Sequence, residues 1–356
     1  MKRFLIAALA ATTLSSAITA VTAQAADDIR PRMIRFGYGL NEDSNQGRAA
    51  KLLAEEIAKA SDGKLKVRTF GSASLGSDDQ MQNALMGGAQ EMMVGSTATL
   101  VGVAEEMAVW DTPFLFESEK QADHVLDGPV GQKVMDALEE KGLVGLAYWE
   151  NGFRNLTNNV RPVEKLEDFD GLRIRFAGIG GKVLEKLGAS VTMIPGGEIY
   201  QALERKTIDA TEFSQPAIDK MLGLDQIIKN YIMPGWHQTL TTSHLLVNKG
   251  VWDKLEPQSR ALIEMGCESA TLKGFAESEW AQPTALREYE KQGVKAQVLP
   301  EEVLRELERV TNEVLDEIAA KDEMFNRVLT SQRDFMKHHS IWHGKGYLPR
   351  DYYQYE

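Results

Sequence analysis

Short hydrophobic runs alternate with amphipathic segments along most of the chain. Leu53 and Ile57 fall on one face of a helix within the segment 47–61, and the run at 65–70 alternates with a period of two residues. The same reasoning predicts strands at 33–38, 65–70, 91–95, 142–149, 172–176 and 190–194, and helices at 47–61, 78–86, 182–187 and 197–204. Strands separated by helices of 10–15 residues indicate βαβ units around a parallel sheet, here in two successive α/β units.

The last hundred residues have a different pattern. The segment 257–292 contains only Gly266, Gly274 and Pro283 as breaks, so it predicts one very long helix. Thirty residues at ~1.5 Å each span ~45 Å, which is longer than one domain needs and suits a strut across two lobes. A second helix is predicted at 301–329, and the aromatic tail at 342–355 is expected to pack on the body. The predicted division is 1–25, 26–150 (first lobe), 151–250 (second lobe) and 251–356 (bridging helices).

The first 25 residues have the features of a secretory signal peptide. Lys2 and Arg3 precede an apolar stretch at 4–20, and Ala23 and Ala25 supply the small residues that signal peptidase recognises at its cleavage site. A membrane anchor is the alternative, but the strongly apolar run is shorter than the ~20 residues that span a bilayer. Cleavage is expected after Ala25. The protein should then act outside the cytoplasm without a lipid anchor, because the next residue is not a cysteine.

Composition excludes several classes of function. The chain has 40 basic and 52 acidic residues and no basic block, so a nucleic-acid or acidic-membrane partner has no electrostatic basis. Removal of 1–25 leaves a charge of −14. Cys267 is the single cysteine, which excludes an intramolecular disulfide and a multi-cysteine metal site. It is expected to be a buried, inert thiol.

Two arginines lie in the predicted strand at 172–176. Arg173 and Arg175 point to the same face because side chains alternate along a strand. A guanidinium binds a carboxylate through two parallel hydrogen bonds, so either residue could hold an anion. The alternative is that both pair with structural acids such as Glu167 and Asp170, or lie at the solvent end of the strand.

A glycine-rich segment and two polar–aromatic segments follow that strand. The glycines at 178–181 open a helix but lack the third glycine of a dinucleotide site, so a backbone anion site and a plain tight turn are equally good interpretations. Glu212 adjoins Phe213, and Trp236, His237 and Gln238 follow a Pro-Gly turn. Such groups on loops are typical of solute sites, although Phe213 and Trp236 could equally be core and His237 structural.

Catalytic patterns are missing from the sequence. It has no G-x-S-x-G elbow, no H-E-x-x-H helix and no phosphate-binding loop. His339 and His343 are four residues apart, but Gly344, Gly346 and Pro349 predict a short helix there and argue against a metal site. Two α/β lobes with an export signal therefore favour a non-enzymatic protein that clamps a ligand by hinge closure.

Several segments, in this order and spacing, resemble one known family. They are 70–76, the Asp-Thr-Pro-Phe-Leu-Phe run at 111–116, Gly-Leu-Arg-Ile-Arg at 171–175, Gly-Ala at 188–189, 197–203 and 208–212. Nearly the whole mature chain is similar to the extracytoplasmic solute-binding subunit of tripartite ATP-independent periplasmic (TRAP) transporters. The resemblance implies an α/β, two-lobed periplasmic solute-binding fold with a long helix spanning both lobes.

The resemblance also implies roles for individual residues. Arg175 matches the arginine that clamps the ligand carboxylate, and Arg154 falls in a segment that often supplies a second polar contact. Phe213 replaces a frequent asparagine, which resembles the branch that binds α-keto and other small monocarboxylic acids. Some members of that branch bind a sodium or calcium ion with the ligand, which here would involve Glu212, Phe213 and Gln238. The segment 151–155 departs from that branch's usual sequence.

The resulting hypothesis is a periplasmic binder of a small organic acid that delivers it to membrane-embedded TRAP permease subunits. Arg175 would neutralise the carboxylate, Phe213 and Trp236 would exclude water, and Glu212, His237 and Gln238 would read the other oxygens. No cofactor is required in this hypothesis. A C4-dicarboxylate, sugar acid or sulfonate ligand stays open, as do delivery to a receptor, a secreted enzyme on the same scaffold and a homodimer formed by a swapped helix.

Overall fold

The computed structural model describes residues 28–104, 107–108, 110, 112–114, 128–151, 156–158, 162–239 and 241–346. The predicted signal peptide lies outside these ranges. None of the helices within them is long and apolar enough to cross a membrane.

Eleven strands occur in the described residues. They are β1 (Arg32–Gly37), β2 (Leu65–Phe70), β3 (Met92–Ser96), β4 (Leu143–Asn151), β5 (Leu156–Asn158), β6 (Arg173–Arg175), β7 (Ser190–Thr192), β8 (Ala210–Glu212), β9 (Asn230–Met233), β10 (Thr241–Asn248) and β11 (Lys295–Val298). The six predicted strands correspond to β1, β2, β3, β4, β6 and β7, with small differences in their ends.

Twelve α-helices accompany the strands in the same ranges. They are α1 (Asn45–Ala60), α2 (Ser72–Leu75), α3 (Asp78–Met86), α4 (Thr97–Leu100), α5 (Pro129–Glu140), α6 (Gly178–Lys186), α7 (Ile199–Glu204), α8 (Pro216–Met221), α9 (Lys249–Trp252), α10 (Pro257–Lys291), α11 (Glu301–Ala319) and α12 (Glu323–Gly346). Short 3₁₀ helices lie at Leu166–Phe169, Gly196–Glu198 and Leu224–Gln226.

These elements form two units whose segments alternate along the chain. The first unit takes the described residues of Met1–Gly95, Gly142–Trp149 and Ser243–Glu277. The second takes those of Ser96–Lys141, Glu150–Thr242 and Ser278–Glu356. Each unit is thus assembled from three separate stretches, whereas the sequence divides most simply into contiguous lobes at 26–150 and 151–250.

The first unit is built on a five-stranded sheet of order β2-β1-β3-β10-β4. β1 runs parallel to β2 and to β3. Ile34 and Phe36 on β1 pack against Leu53 and Ile57 on α1, as the helical periodicity predicts. Ser44 caps α1 by accepting a hydrogen bond from the Gly47 amide at 3.0 Å. Cys267 belongs to this core and is buried, as predicted.

The second unit is built on a six-stranded sheet of order β11-β9-β5-β8-β6-β7. β6 and β8 are parallel neighbours, with Arg175 opposite Thr211. β5 runs antiparallel to both β8 and β9, so this sheet is mixed and not purely parallel as predicted. Arg175 and Glu212 are the last residues of β6 and β8, and the parallel pairing therefore brings both to the same edge of the sheet.

The long helix is confirmed. α10 runs for 35 residues through Pro283, with residues up to Glu277 in the first unit and those from Ser278 in the second. The prediction of a single helix at 301–329 is wrong, because α11 ends and α12 begins within this range. Asp322 starts α12 by accepting a hydrogen bond from the Phe325 amide at 2.9 Å.

Candidate functional site

An ion pair lies at the carboxyl ends of β6 and β8. Nη1 of Arg175 donates to Oε2 of Glu212 and to the Glu212 carbonyl oxygen, both at 2.6 Å. Arg175 is 3% exposed and Glu212 is 1% exposed. Glu212 also accepts from the Ala177 amide at 3.2 Å, and Nε of Arg175 donates to the Ile194 carbonyl at 3.2 Å. Burial of two charges is tolerated here because each is hydrogen-bonded as well as paired.

Arg173, the other arginine of the strand, has a different environment. Its Nη2 lies 2.5 Å from Oδ1 of Asp209, and its side chain is 49% exposed. The alternative given above, that both arginines pair with acids of the protein, describes both residues, but the partners are Asp209 for Arg173 and Glu212 for Arg175, not Glu167 or Asp170. Two arginines in one strand of three residues thus form one exposed ion pair, Arg173–Asp209, and one buried ion pair, Arg175–Glu212.

The ring of Phe213 lies beside the ion pair. The guanidinium carbon of Arg175 is 5.5 Å from the centroid of this ring, within the range of a cation–π contact. The ring also meets Gly196, where a Cβ atom would lie 2.7 Å from Phe213 Cε2. A glycine at 196 is required for this close approach.

An aromatic cluster encloses His237. The rings of Phe176 and Trp236 stack at 6.3 Å, and Phe114 lies 5.9 Å from Trp236. His237 meets Phe176 edge-on at 4.7 Å. Gly180 in the first turn of α6 makes room for this contact, since a Cβ atom there would lie 2.6 Å from Phe176 Cε1 and 2.9 Å from His237 Cβ. Together these groups form an apolar wall next to the charged pair.

His237 brings a polar group to the wall. Its Nε2 is 4.0 Å from Oε1 of Glu212, and both side chains are buried. Gln238 follows in sequence and is also buried. A carboxylate and an imidazole thus accompany one guanidinium, which is a chemistry suited to an anion that also carries hydroxyl or carbonyl oxygens.

The segment after Glu212 is held by side chains and not by the sheet. The β8 ladder ends at Glu212, and the Ser214 amide donates to Oδ1 of Asp219 at 2.9 Å. Oδ2 of Asp219 accepts from the Tyr231 hydroxyl at 2.7 Å. Asp219 and Tyr231 are both fully buried, so the path of the chain past Phe213 is rigidly defined.

The donor set can be compared with the needs of a cation. The carboxylate of Glu212, the backbone carbonyl of Phe213 and the side-chain amide of Gln238 are oxygen donors, which sodium and calcium prefer. The described residues contain no group of three or more His, Cys, Asp or Glu side chains placed to hold a metal. Oxygen donors of these types suit a hard cation and not a transition metal.

The structure brings together most of the predicted residues. Arg175, Glu212, Phe213, Trp236 and His237 belong to one connected set of contacts. Arg154 lies outside the described residues. The glycines at 178–181 form the first turn of α6, which therefore begins four residues earlier than predicted. His339 lies on α12, which runs to Gly346; the prediction of a short helix around it is wrong.

Sequence reasoning missed two residues of this set. Phe176 and Gly196 have no chemistry of their own that would single them out. The detectable pattern is positional: Phe176 directly follows Arg175, and Gly196 lies in the connection that follows β7. Gly180 was considered as part of a backbone anion site, whereas the structure gives it a packing role against Phe176 and His237. Glu212 was singled out as an oxygen donor, but its bond to Arg175 could not be foreseen without the parallel pairing of β6 and β8.

Comparisons with known proteins place the chain among binders of solutes. The profile of bacterial extracellular solute-binding protein family 7, DctP, matches residues 36–322. The C4-dicarboxylate-binding periplasmic protein DctP of Rhodobacter capsulatus is 31% identical over 286 residues, which cover 78% of this chain and 82% of that protein.

Two solved structures share the fold. The sugar acid binding protein DctPAm from Advenella mimigardefordensis strain DPN7T, in complex with galactonate, is 34% identical with a TM-score of 0.78, covering 86% of this chain and all of that one. A TRAP periplasmic solute-binding protein from Colwellia psychrerythraea, with bound calcium and pyruvate, is 25% identical with a TM-score of 0.81, covering 88% and 96%. Both confirm the α/β, two-lobed fold class.

Proposed function

This chain belongs to family 7 of the bacterial extracellular solute-binding proteins, and we propose that it captures a small monocarboxylic acid through Arg175. As a TRAP periplasmic solute-binding protein it serves the uptake of small organic acids. The narrower ligand class proposed here is a monocarboxylate with an oxygen on the carbon next to the carboxylate, as in 2-oxo and sugar acids.

The observation that carries this proposal is the buried Arg175–Glu212 pair. The two charges cancel, so a ligand adds its own charge to a neutral, buried setting. One carboxylate can share the guanidinium, which has five donors, with Glu212. A bound monocarboxylate therefore leaves one negative charge in excess and a dicarboxylate leaves two, and each buried excess charge is strongly unfavourable. This charge count favours a monoanion over a C4-dicarboxylate.

The ligands of relatives support the same class. Galactonate and pyruvate, bound by the two structural relatives, are both monocarboxylates with an oxygen on the adjacent carbon. We propose that His237 and Gln238 form hydrogen bonds to such oxygens, and that Phe213 and Trp236 exclude water from the ion pair. Arg154 is proposed as a second polar contact. Exclusion of water strengthens the attraction between the guanidinium and the ligand carboxylate.

A cation is a second element of the proposal. Glu212, Phe213 and Gln238 would provide oxygen ligands to sodium or calcium, and the cation would attract an acid that presents two oxygens. A relative binds calcium together with pyruvate, which supports this idea. Cation dependence of ligand binding is its measurable consequence.

Export and delivery complete the proposed role. Proteins of this family act outside the cytoplasm and work with membrane permeases. We propose that residues 1–25 are a signal peptide removed after Ala25, and that the mature chain is a non-enzymatic periplasmic binder that hands its ligand to TRAP permease subunits. Intact-mass measurement of the exported protein tests the cleavage point. Analytical ultracentrifugation of that protein separates a monomer from a homodimer.

A thermal-shift panel tests the ligand class. The mature chain is heated with pyruvate, galactonate, succinate and taurine, each with sodium, with calcium and with a chelator. A ligand at ~100 times its dissociation constant should add ~2.7 kcal/mol to the free energy of unfolding, a clear rise in Tm. Stabilisation by pyruvate or galactonate supports the proposal. Stabilisation by succinate alone contradicts the charge argument, and no response to any acid contradicts the proposed function itself.

A further inference from the structure

Gln215 lies three residues after Glu212 and contacts no residue of the aromatic wall in the described contacts. Its side chain is buried, 2% exposed, in a polar cluster with one turn of α10. Oε1 of Gln215 accepts from the Ser278 hydroxyl at 2.7 Å and from Nε2 of Gln282 at 3.3 Å. Nε2 of Gln215 donates to Oε1 of Glu279 at 3.2 Å. Both ends of the amide are therefore used.

Gln282 completes the connection between α10 and α8. Its Oε1 accepts from the Ala217 amide at 3.0 Å, and its Nε2 donates to the Ser278 carbonyl at 2.6 Å. Two interlocked amides thus tie the start of α8 to the turn Ser278–Gln282. A buried polar network in which every member is bonded rigidifies the segment that it holds.

This network holds a part of the chain that is not held by strand pairing in the sheet. Beyond Glu212 the chain leaves the β8 ladder, and residues 213–215 depend on bonds from α8 and α10. Glu212 and Phe213 are the two residues of this segment that contact Arg175. Glu212 is the last paired residue of β8, so a shift of Gln215 would move Phe213 directly and pull on the end of the strand at Glu212, while leaving Arg175 itself in β6.

We propose that Gln215 is a positioning residue for the ligand site: its amide, locked to α10, sets the placement of Glu212 and Phe213 against Arg175. The inference rests on the proposed function, since it concerns the affinity of that site. It assigns a role in binding to a contact that lies outside the ligand's reach.

The test compares two buried or half-buried amides. Gln215→Met removes the network, and Gln297→Met is the matched control, because Gln297 bonds to the backbone of Val163 in the same unit and away from the site. Both variants should lower Tm. Only Gln215→Met should weaken binding of pyruvate or galactonate, by about tenfold, the change expected when about 1.4 kcal/mol of organisation is lost.

A charge swap provides a rescue. Gln215→Glu alone places a second carboxylate against Glu279 and should weaken binding at least as much as Gln215→Met. Gln215→Glu combined with Glu279→Gln restores a donor on α10 facing an acceptor at 215, so binding should return to within about threefold of the parent. A role confined to packing would not produce this reversal.

A ligand-free readout keeps this proposal separate from the proposed function. The Ala177 amide donates to Oε2 of Glu212, so its hydrogen exchange reports where that carboxylate lies. Faster exchange at Ala177 in Gln215→Met, but not in Gln297→Met, supports the positioning role even when no acid on the panel binds. Equal losses of Tm with unchanged Ala177 exchange and unchanged affinity would overturn it.

Discussion

Arg175 and Glu212 form a buried ion pair that is a cost to folding, at the place where we propose that the ligand binds. Each charge loses its hydration on burial, and the pair is tolerated because the guanidinium and the carboxylate have further hydrogen bonds. Removal of either partner leaves the other buried and unpaired. The stability of the ligand-free protein should therefore depend on the pair in a non-additive way.

Arg175→Met should lower the free energy of unfolding by about 3–5 kcal/mol because Glu212 is left unpaired. Adding Glu212→Gln should recover much of this loss without recovering ligand binding. Arg173→Met is the control, since its exposed pair with Asp209 should contribute no more than about 1 kcal/mol. Urea unfolding and calorimetric titration with the acids of the panel measure both effects. Strictly additive losses in the double variant would contradict the coupling.

His244 is a second residue whose burial has a measurable consequence. It lies on β10, is fully buried, and neither ring nitrogen has a hydrogen-bond partner among the described residues. Burial disfavours the charged imidazolium and lowers the pKa of His244 from 6.5 to about 4. The unfolded chain binds a proton at this residue in the window between these values, whereas the folded chain does not.

The stability of the protein should therefore fall as pH falls from 6.5 towards 4, by about 3 kcal/mol at 1.36 kcal/mol per pKa unit. His244→Leu removes this term. The difference in unfolding free energy between the parent and His244→Leu, measured in urea at pH 4, 5, 6 and 7, should rise with pH in favour of the parent. A difference that does not vary with pH would show that His244 titrates normally in the folded protein.

At the scale of single residues, the sequence predicts which side chains are candidates for the site better than it predicts their burial and their partners. Alternation along the strand predicts one face for Arg173 and Arg175, yet the side chain of Arg173 is half exposed and that of Arg175 is buried. The difference depends on the register of β6 against β8, which pairs residues far apart in sequence. Trp236 and His237 are identified as candidate site residues from their loop, but their contact with Phe176 requires the folded sheet.

Helix α6 illustrates a conflict between local propensity and packing. Gly180 lies within the helix, where alanine would be favoured by about 1 kcal/mol on propensity alone. The space that a methyl group needs is already filled by Phe176 and His237. The packing penalty should exceed the gain in helix propensity, since insertion of a methyl group into a filled site typically costs about 1–3 kcal/mol.

Gly180→Ala should therefore lower Tm and weaken ligand binding, despite its better helix propensity. Gly197→Ala is the matched control, because a Cβ atom there would meet no atom within 4 Å. Its effect on the free energy of unfolding should stay within about 0.5 kcal/mol. Thermal unfolding with and without galactonate measures both. A stabilised Gly180→Ala would mean that the Phe176–His237 contact relaxes freely.

At the scale of elements, several periodic segments are predicted well, but five strands are missed: β5, β8, β9, β10 and β11. α3 and β2 have the predicted bounds, and α3 begins at the capping box formed by Ser77 and Gln80. β5 and β8 have three residues each, too few for a period to be read. β6 and β7 are equally short, but each lies within a longer predicted run, at 172–176 or 190–194. The break between α11 and α12 was missed because the apolar period continues across the cap at Asp322.

The whole molecule combines two units in an interleaved order. The core of the second unit contains Ile199, Leu203 and Tyr231 from its middle segment, together with Tyr289 and Val294 from its last one. β11, an edge strand of the same sheet, also comes from the last segment and pairs with β9. This core therefore joins residues from both sides of the stretch Ser243–Glu277, which belongs to the first unit.

The fragment 150–242 should therefore be unfolded, although it contains Arg175, Glu212 and His237. It lacks Tyr289, Val294 and the turn of α10 that holds Gln215. Circular dichroism and amide proton dispersion of the purified fragment test this expectation. A cooperative thermal transition in the fragment would show that the last segment is dispensable.

Interleaving also sets the order in which the two units can be completed as the chain emerges with its N-terminus first. The first unit takes its last segment from Ser243–Glu277, and the second unit needs the residues from Ser278 onward. The unit that holds Arg175 and Glu212 is therefore completed last. α10 crosses the boundary between these segments, because Glu277 ends the first unit and the next residue, Ser278, bonds to Gln215 in the second.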